Sequence, residues 1–272
     1  NVKVRIVGGA NLLDSSDVEG HYIFEQLELD QAYSIIPEKN EDPRNGISTY
    51  DLVLISRHIL GITNSLDTPY KKIAADINRS GTISTFDLVE LRKLILRIND
   101  EFNNNTSWRF VQAGYIFSNP LNPFSTTFPE IYSIESLQDN ITSADFIGIK
   151  IGDINLNADP QGLVDIPRTE DRNAGEYFIR AEDEYVQTGT HLSKYFYLEG
   201  NGLVAGGQFQ MNWNADHVFV DEIKLSPAAI KMGLDQSNFN LNRDEGALRF
   251  SWHNNQDIPA KDLKLFELVL TS

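Results

Sequence analysis

Three observations predict a multi-domain, mainly β chain with a central α-helical module and antiparallel β-sandwiches on both sides. Runs that alternate apolar and polar residues flank the centre, and between residues 40 and 99 the period changes to that of a helix. That central stretch is also a tandem duplication. At 272 residues the chain is long for one compact domain and comfortable for two or three small ones.

The charge and the cysteine count restrict the function. With 23 basic and 39 acidic residues the formal net charge is −16, which repels nucleic acid and anionic membrane and attracts cations. There is no Cys, so disulfides, thiolate metal sites and a Cys nucleophile are excluded. Small domains without disulfides need another staple, and a divalent metal is the obvious one. No window approaches the roughly eighteen apolar residues of a membrane span, so no membrane insertion is expected. The opening "NVKVRIVGG" lacks an apolar signal-peptide core and reads as the middle of a β domain, which predicts a piece of a larger protein.

Residues 1–38 read as a β-sandwich fragment: "VKVRIV" and "GHYIFEQL" alternate, "QAYSIIPE" ends at Pro37, and "GGANLLDSSDVEG" between the first two is rich in turn formers. Three strands do not easily close a sandwich, so this fragment is expected to lean on other residues. Residues 39–157 form the central module. Leu52, Ile55, Ile59 and Ile62 fall on one helical face, and Leu88, Leu91, Ile95 and Ile98 repeat it. "ISTYDLVLISRHILGI" (47–62) matches "ISTFDLVELRKLILRI" (83–98) at nine of sixteen positions with a constant offset of 36. Pro120, Pro123 and Pro129 within ten residues predict a long loop over 100–142, packed by Trp108, Phe110, Phe117, Phe124 and Phe128. Residues 158–175 read as a linker, and 176–272 as six strand-like runs of an antiparallel β-sandwich.

The chemistry sits at the start of the second repeat. Calcium takes six to eight oxygens, and a twelve-residue loop supplies them from positions 1, 3, 5, 7 and 12 around a Gly at position 6. In "DINRSGTISTFD" (76–87) those positions are Asp76, Asn78, Ser80, the Thr82 carbonyl and Asp87, with Gly81 at position 6 and Ser84 available through water at position 9. The competing reading is an Asp/Asn turn followed by a Ser-capped helix. The first repeat, "NEDPRNGISTYD" (40–51), is one residue short after its Gly, yet Asp42, Asn45, the Ile47 carbonyl and Asp51 can converge, with Asn40 in reserve. One calcium site is therefore expected, and a second beside it. A third cluster, Asp153, Asn155 and Asn157, mimics the first five positions but lacks both the Gly and the closing acid; it either completes another site or forms a turn.

The paired loop–helix units, "DINRSGTISTFDLVELRKLIL" above all, resemble a type I dockerin, with Asp in place of the usual EF-hand Glu at position 12. The wording out to "NNTSWRFV" and "KIGDIN" is similar to dockerin-like segments in large surface proteins of bacteria that use type IX secretion. "DVEGHYIFEQLELDQAYSIIPEK" resembles a carboxypeptidase-regulatory-like or B-type adhesin β-sandwich, and the tail from "GGQFQMNWN" to "LKLFELVLT" resembles a cohesin-like sandwich. The resemblance implies partner contacts at positions 10 and 11 of each loop, Thr49 and Tyr50 in one and Thr85 and Phe86 in the other. The favoured expectation is nevertheless that Tyr50 and Phe86 pack against "SWRF" or the adjacent sandwich.

No G-x-S-x-G, H-E-x-x-H or P-loop is present, and His21, His58, His191, His217 and His253 lie far apart, so no enzyme is expected. The expected function is a non-catalytic, calcium-stabilised segment of a secreted or cell-surface modular protein, such as an adhesin, stalk or fibre. The alternatives are a dockerin–cohesin-type binding module that joins other protein modules, neighbouring copies included, head to tail, or the accessory region of a secreted hydrolase.

Overall fold

The computed structural model describes residues 1–62, 64–161, 177–182 and 187–272. Among these residues the chain is mainly β, with antiparallel sheets and four α-helices. Two compact units divide it: Asn1–Ile47, Arg57–Leu91 and Asp100–Pro167 form one, and Ser48–Ser56, Arg92–Asn99 and Arg168–Ser272 the other.

In the first unit, β1 (Lys3–Gly8), β2 (Leu12–Ser15) and β3 (Tyr33–Glu38) pair antiparallel in the order β2-β1-β3. Alternation drives the pairing: Val4 and Ile6 are buried between the exposed Lys3 and Arg5. A fourth strand, β5 (Tyr132–Ile134), joins the edge of β3 with Tyr33 opposite Ile134. Residues 1–38 are therefore not a separate domain, because their sheet is completed from the stretch predicted as a long loop. Val4, Ile6, Tyr33, Ile35 and Leu137 form the shared core.

Two local expectations fail here. "GHYIFEQL" is not a strand; Tyr22, Phe24 and Leu27 reach the same core from irregular backbone, with the Tyr22 hydroxyl donating to the Ala144 carbonyl. β2 instead arises inside "GGANLLDSSDVEG", where Leu12 and Leu13 pair with Ile6 and Arg5. Residues 100–142 likewise hold more than a loop. β4 (Trp108–Gln112) pairs with β6 (Phe146–Lys150). Four consecutive residues of β4, Trp108 to Val111, are buried, so it shows none of the alternation by which a strand is recognised. The prolines lie between the strands, and Trp108, Phe110, Phe117 and Phe128 are buried as expected of packing aromatics.

The duplicated segments give α1 (Thr49–Ile59) and α3 (Thr85–Ile95). Leu52, Ile55, Leu88 and Leu91 are buried, while Ile62 and Ile98 are exposed beyond the left-handed residues Gly61 and Arg97, which end each helix. A third helix, α2 (Pro69–Ala75), lies between them and is not among the expected elements. Its signal is "TPYKKIAA": the Thr68 hydroxyl accepts from Lys71 N at 3.2 Å, and Pro69 occupies the first turn.

In the second unit, β7 (Tyr177–Arg180), β8 (His191–Gly200), β9 (Leu203–Asn212), β10 (Phe219–Leu225), β12 (Ala247–Pro259) and β13 (Leu263–Thr271) fall on the six predicted runs, and β11 (Phe239–Asn242) is a further strand that was not among them. They form two antiparallel sheets, β10-β13-β8-β7 and β11-β12-β9, over one core. Phe266 is fully buried and touches rings from both sheets, with Phe196 at 4.8 Å and Phe209 at 6.2 Å. Emptying such a position costs about 3–5 kcal/mol. Ser226 caps α4 (Pro227–Lys231) through Ala229 N. Within this unit Thr49 N and Oγ1 both donate to Gln208 Oε1 at 2.9 Å, and Arg92 Nη2 lies 3.1 Å from His253 Nδ1. Of the predicted linker, residues 162–175 lie outside the described residues.

Candidate metal centre

Asp76 ends α2 and opens the loop. Its N–H still donates back to the Lys72 and Ile73 carbonyls, and its carboxylate turns the chain: Oδ1 accepts from Ser80 N at 2.8 Å and Oδ2 from Gly81 N at 2.9 Å. The turn needs two left-handed residues, Arg79 (φ 55°) and Gly81 (φ 75°). Asn78 Oδ1 accepts from the same Ser80 N at 3.1 Å. Ser80 Oγ lies 3.4 Å from Asp76 Oδ1 and 3.2 Å from the Thr82 carbonyl. Oxygens of positions 1, 3, 5 and 7 are thus gathered around Ser80.

Position 12 closes on this cluster. Asn78 N donates to Asp87 Oδ1 at 3.2 Å, while Ser84 N and Oγ donate to Asp87 Oδ2 at 2.8 and 3.2 Å. Ser84 therefore caps α3 and orients Asp87. From outside, Asn105 Nδ2 pins the loop by donating to the carbonyl of Asp76 at 3.0 Å.

The electrostatics of the loop are unusual. Asp76 is 1 % exposed and Asp87 fully buried, and among the described residues neither carboxylate forms an ion pair. Arg79, the basic residue of the loop, is turned outward to Glu130 at 3.0 Å, and Glu130 is also clasped by Arg109 at 2.9 Å through two bonds. Burial, assisted by the neighbouring Asp76, pushes the Asp87 carboxyl up against the pull of the Ser84 and Asn78 N–H groups. Two buried carboxylates without a cation are costly, and a bound divalent ion in their midst removes that cost. The donor set is all oxygen, as a hard cation requires.

The 40–51 segment does not assemble in the same way. Asn40 Oδ1 accepts from Ser107 N at 2.7 Å, and Asp42 is exposed in a left-handed turn. Asn45 spends its amide on the Asp159 backbone, donating to its O at 2.6 Å and accepting from its N at 2.9 Å. Asn45, expected to converge with Asp42, is thus bonded to Asp159 while Asp42 is exposed, and the reserve residue Asn40 is bonded to Ser107. The register is corrected too: the offset of 36 that aligns Ile47 with Ile83 places Gly46, not Ile47, at the position of Thr82. Asp51 keeps its role at the helix start, fully buried and accepting from Ser48 N and Oγ at 2.9 and 3.2 Å. Asp153 is 3 % exposed, and its carboxylate accepts from Asn157 N and Ala158 N at 3.1 and 2.9 Å.

The positions named as partner contacts divide. Thr49 is buried by its bonds to Gln208 and Ser251, whereas Thr85 is exposed. Phe86 is 72 % exposed and Tyr50 47 %, so the expectation that both rings pack inward is overturned. Val89, one turn on from Phe86, is 46 % exposed. One further cluster, Asp17, Glu19 and His21, places carboxylate and imidazole atoms within 4.8 Å of one another, but all three are exposed and Asp17 is the acceptor of a tight turn.

No curated protein and no solved structure is significantly similar to the chain. The dockerin type I domain family matches residues 42–96, which contain both helix starts and the whole of the 76–87 loop. The match supports a dockerin type I domain at these residues, a module that typically binds calcium and, as its partner, a cohesin.

Proposed function

We propose that this chain is a non-catalytic, calcium-stabilised segment of a secreted or cell-surface modular protein, and that its dockerin-type part docks another protein module. One observation carries the reading: Asp76 and Asp87 are buried in one oxygen-rich loop and, among the described residues, no basic side chain forms an ion pair with either. Asp76, Asn78, Ser80, the Thr82 carbonyl and Asp87 would hold the ion. Calcium, when bound, supplies the positive charge that this loop lacks and fixes the start of α3 relative to the end of α2. The chain's own groups do the rest: Gly81 and Arg79 set the turn, and Ser84 and Asn78 hold Asp87 in place.

Docking has its own support. Thr85, Phe86 and Val89 present an exposed patch at the start of α3, where a dockerin meets its partner. Truncating an exposed phenylalanine costs a monomer little, so its role is contact. The partner this reading favours is a cohesin-like β-sandwich, and the paired sheets of this chain's second unit supply that class of surface in a neighbouring copy. The absence of catalytic sequence motifs supports a structural or assembly role, and the net charge of −16 is in keeping with a calcium-rich extracellular setting.

Calcium titration of the chelator-stripped chain, followed by sizing over a range of protein concentrations, tests both halves. Saturable binding and calcium-dependent association are expected. A chain that takes up no calcium defeats the metal reading, and a strict monomer at high concentration in calcium defeats self-assembly.

A further inference from the structure

We propose that Asn105, which lies outside the stretch matched by the dockerin family, is a positioning residue of the 76–87 metal loop and sets its calcium affinity. The extension that follows α3 is thereby part of the metal site. This rests on the reading that 76–87 binds calcium, and adds what holds the loop in its binding shape.

Two ties run from that extension to the incoming half of the loop, all within the first unit. The first is Asn105 itself. Its Nδ2 donates to the Asp76 carbonyl at 3.0 Å and to the Ile77 carbonyl at 3.3 Å. Its Oδ1 accepts from Thr106 N at 3.0 Å, and Thr106 Oγ1 donates to the Trp108 carbonyl at 2.6 Å, which fixes the amide on the first residue of β4. The second tie is Glu130. It accepts from Arg79 Nη2 at 3.0 Å while Arg109 of β4 holds it through two bonds at 2.9 Å. Arg109 is buried, with its guanidinium 4.8 Å from the centre of the Phe128 ring, so this anchor sits in packed structure. Asn105, Arg109 and Glu130 all lie beyond residue 96, where the family match ends.

Peptide geometry carries the first tie into the donor set. A peptide unit is planar and trans, so the Ile77 carbonyl and the Asn78 N–H point in opposite directions from one plane. Asn105 holds the carbonyl side, and the N–H side donates to Asp87 Oδ1 at 3.2 Å. Turning that plane breaks both bonds at once. The plane before it carries the Asp76 carbonyl, the other acceptor of Asn105. Asn105 thus orients the closing carboxylate of position 12 and the backbone of position 1. Its N–H groups face the loop and its oxygen faces Thr106, so it positions the ligands and is not one of them.

The second tie explains how the loop keeps an unfavourable turn. Arg79 has φ 55°, a conformation that side-chain-bearing residues adopt rarely, and its bond to Glu130 holds it there. A loop that is already ordered loses less freedom when it binds, and affinity rises accordingly.

Calcium titration by calorimetry of the full chain and of Asn105→Asp, Asn105→Ala and Asn103→Ala tests this, with melts of each in calcium and in excess chelator. The relevant site is the equivalent lost in Asp87→Asn, and circular dichroism checks each fold. Asn105→Asp keeps the size and the acceptor for Thr106 N but sets a carboxylate against two carbonyls; should Asn105→Ala not fold, Asn105→Asp carries the comparison. Both Asn105 variants should bind at least about tenfold more weakly, with a smaller calcium-dependent rise in melting temperature. The sign for Asn105→Asp is decisive, because charge attraction alone would tighten binding when a carboxylate is added. Asn103 bonds Glu90 at 2.7 Å instead of the loop, and its variant should bind as the parent does. A residue that served the fold alone would lower the melts in calcium and in chelator together and leave Kd at the parent value. That result, tighter binding by Asn105→Asp, or equal weakening by Asn103→Ala overturns the inference and spares the 76–87 reading. No binding at all to the parent chain removes the reading on which it rests.

Discussion

The two repeats arrive at nearly the same helix by different routes. In the second, a contiguous loop encloses two buried carboxylates and presents Thr85 and Phe86 outward. In the first, Asn40 and Asn45 are bonded to Ser107 and Asp159, Asp42 is exposed, and Thr49 is buried by bonds to Gln208 and Ser251. Duplication copied the helix and its Ser–Asp start; what preceded each helix was free to diverge. The lesson is that the Ser–Asp start of a helix persists where the residues ahead of it diverge, since the bonds from Ser48 to Asp51 also hold that start.

The sharpest way to break this comparison is to remove one acid from each route. Asp87→Asn should abolish the stabilisation that calcium gives the second loop, about 4 kcal/mol at a free ion concentration 1,000 times Kd, as read from denaturant unfolding with and without calcium. Asp42→Asn, at an exposed position outside any gathered donor set, should change stability by no more than about 0.5 kcal/mol. Equal losses in the two variants would mean that the first loop closes as a contiguous one.

The helix ends differ too, and pH reads the difference. Burial, together with the nearby Arg92, pushes His253 down from 6.5 to about 4. The folded chain keeps that ring neutral while the unfolded chain protonates it, so the unfolded state binds more protons between about pH 6.5 and 4. Stability is then fully present above 6.5 and lost as pH falls toward 4, by up to about 3 kcal/mol. His253→Gln should flatten that part of the stability–pH curve relative to the parent; parallel curves would refute the assignment.

Smaller effects separate the tenth loop positions. Thr49→Val deletes a buried hydroxyl bonded to Gln208 and Ser251 and should cost about 1–2 kcal/mol. Thr85→Val should stay within about 0.5 kcal/mol. Phe86→Ala should likewise leave the melting temperature unchanged while weakening calcium-dependent association in sedimentation; a marked fall in stability would show that the ring packs rather than docks.

Much of this was legible from residue types and spacing. The helix pair, the 76–87 donor set and the strand-rich tail follow from periodicity and from oxygens at alternate positions. Three things were not, each for a physical reason. β4 is buried on both faces and so lacks alternation. β5 is three residues long and is a strand only because β3 offers an edge. The exposure of Phe86 depends on what lies above the start of α3, which no local pattern encodes. The close approach of Gly46 to Ala158 was not visible either, because it is a long-range contact made beside the Asn45–Asp159 bonds.

The central claim is that a divalent ion staples the 76–87 loop, and thermal unfolding of the full chain in calcium and in excess chelator tests it most directly. The account predicts a lower melting temperature in chelator, recovered when calcium is restored, with the calcium-dependent part much reduced in Asp87→Asn. An identical melt in calcium and in chelator would contradict it.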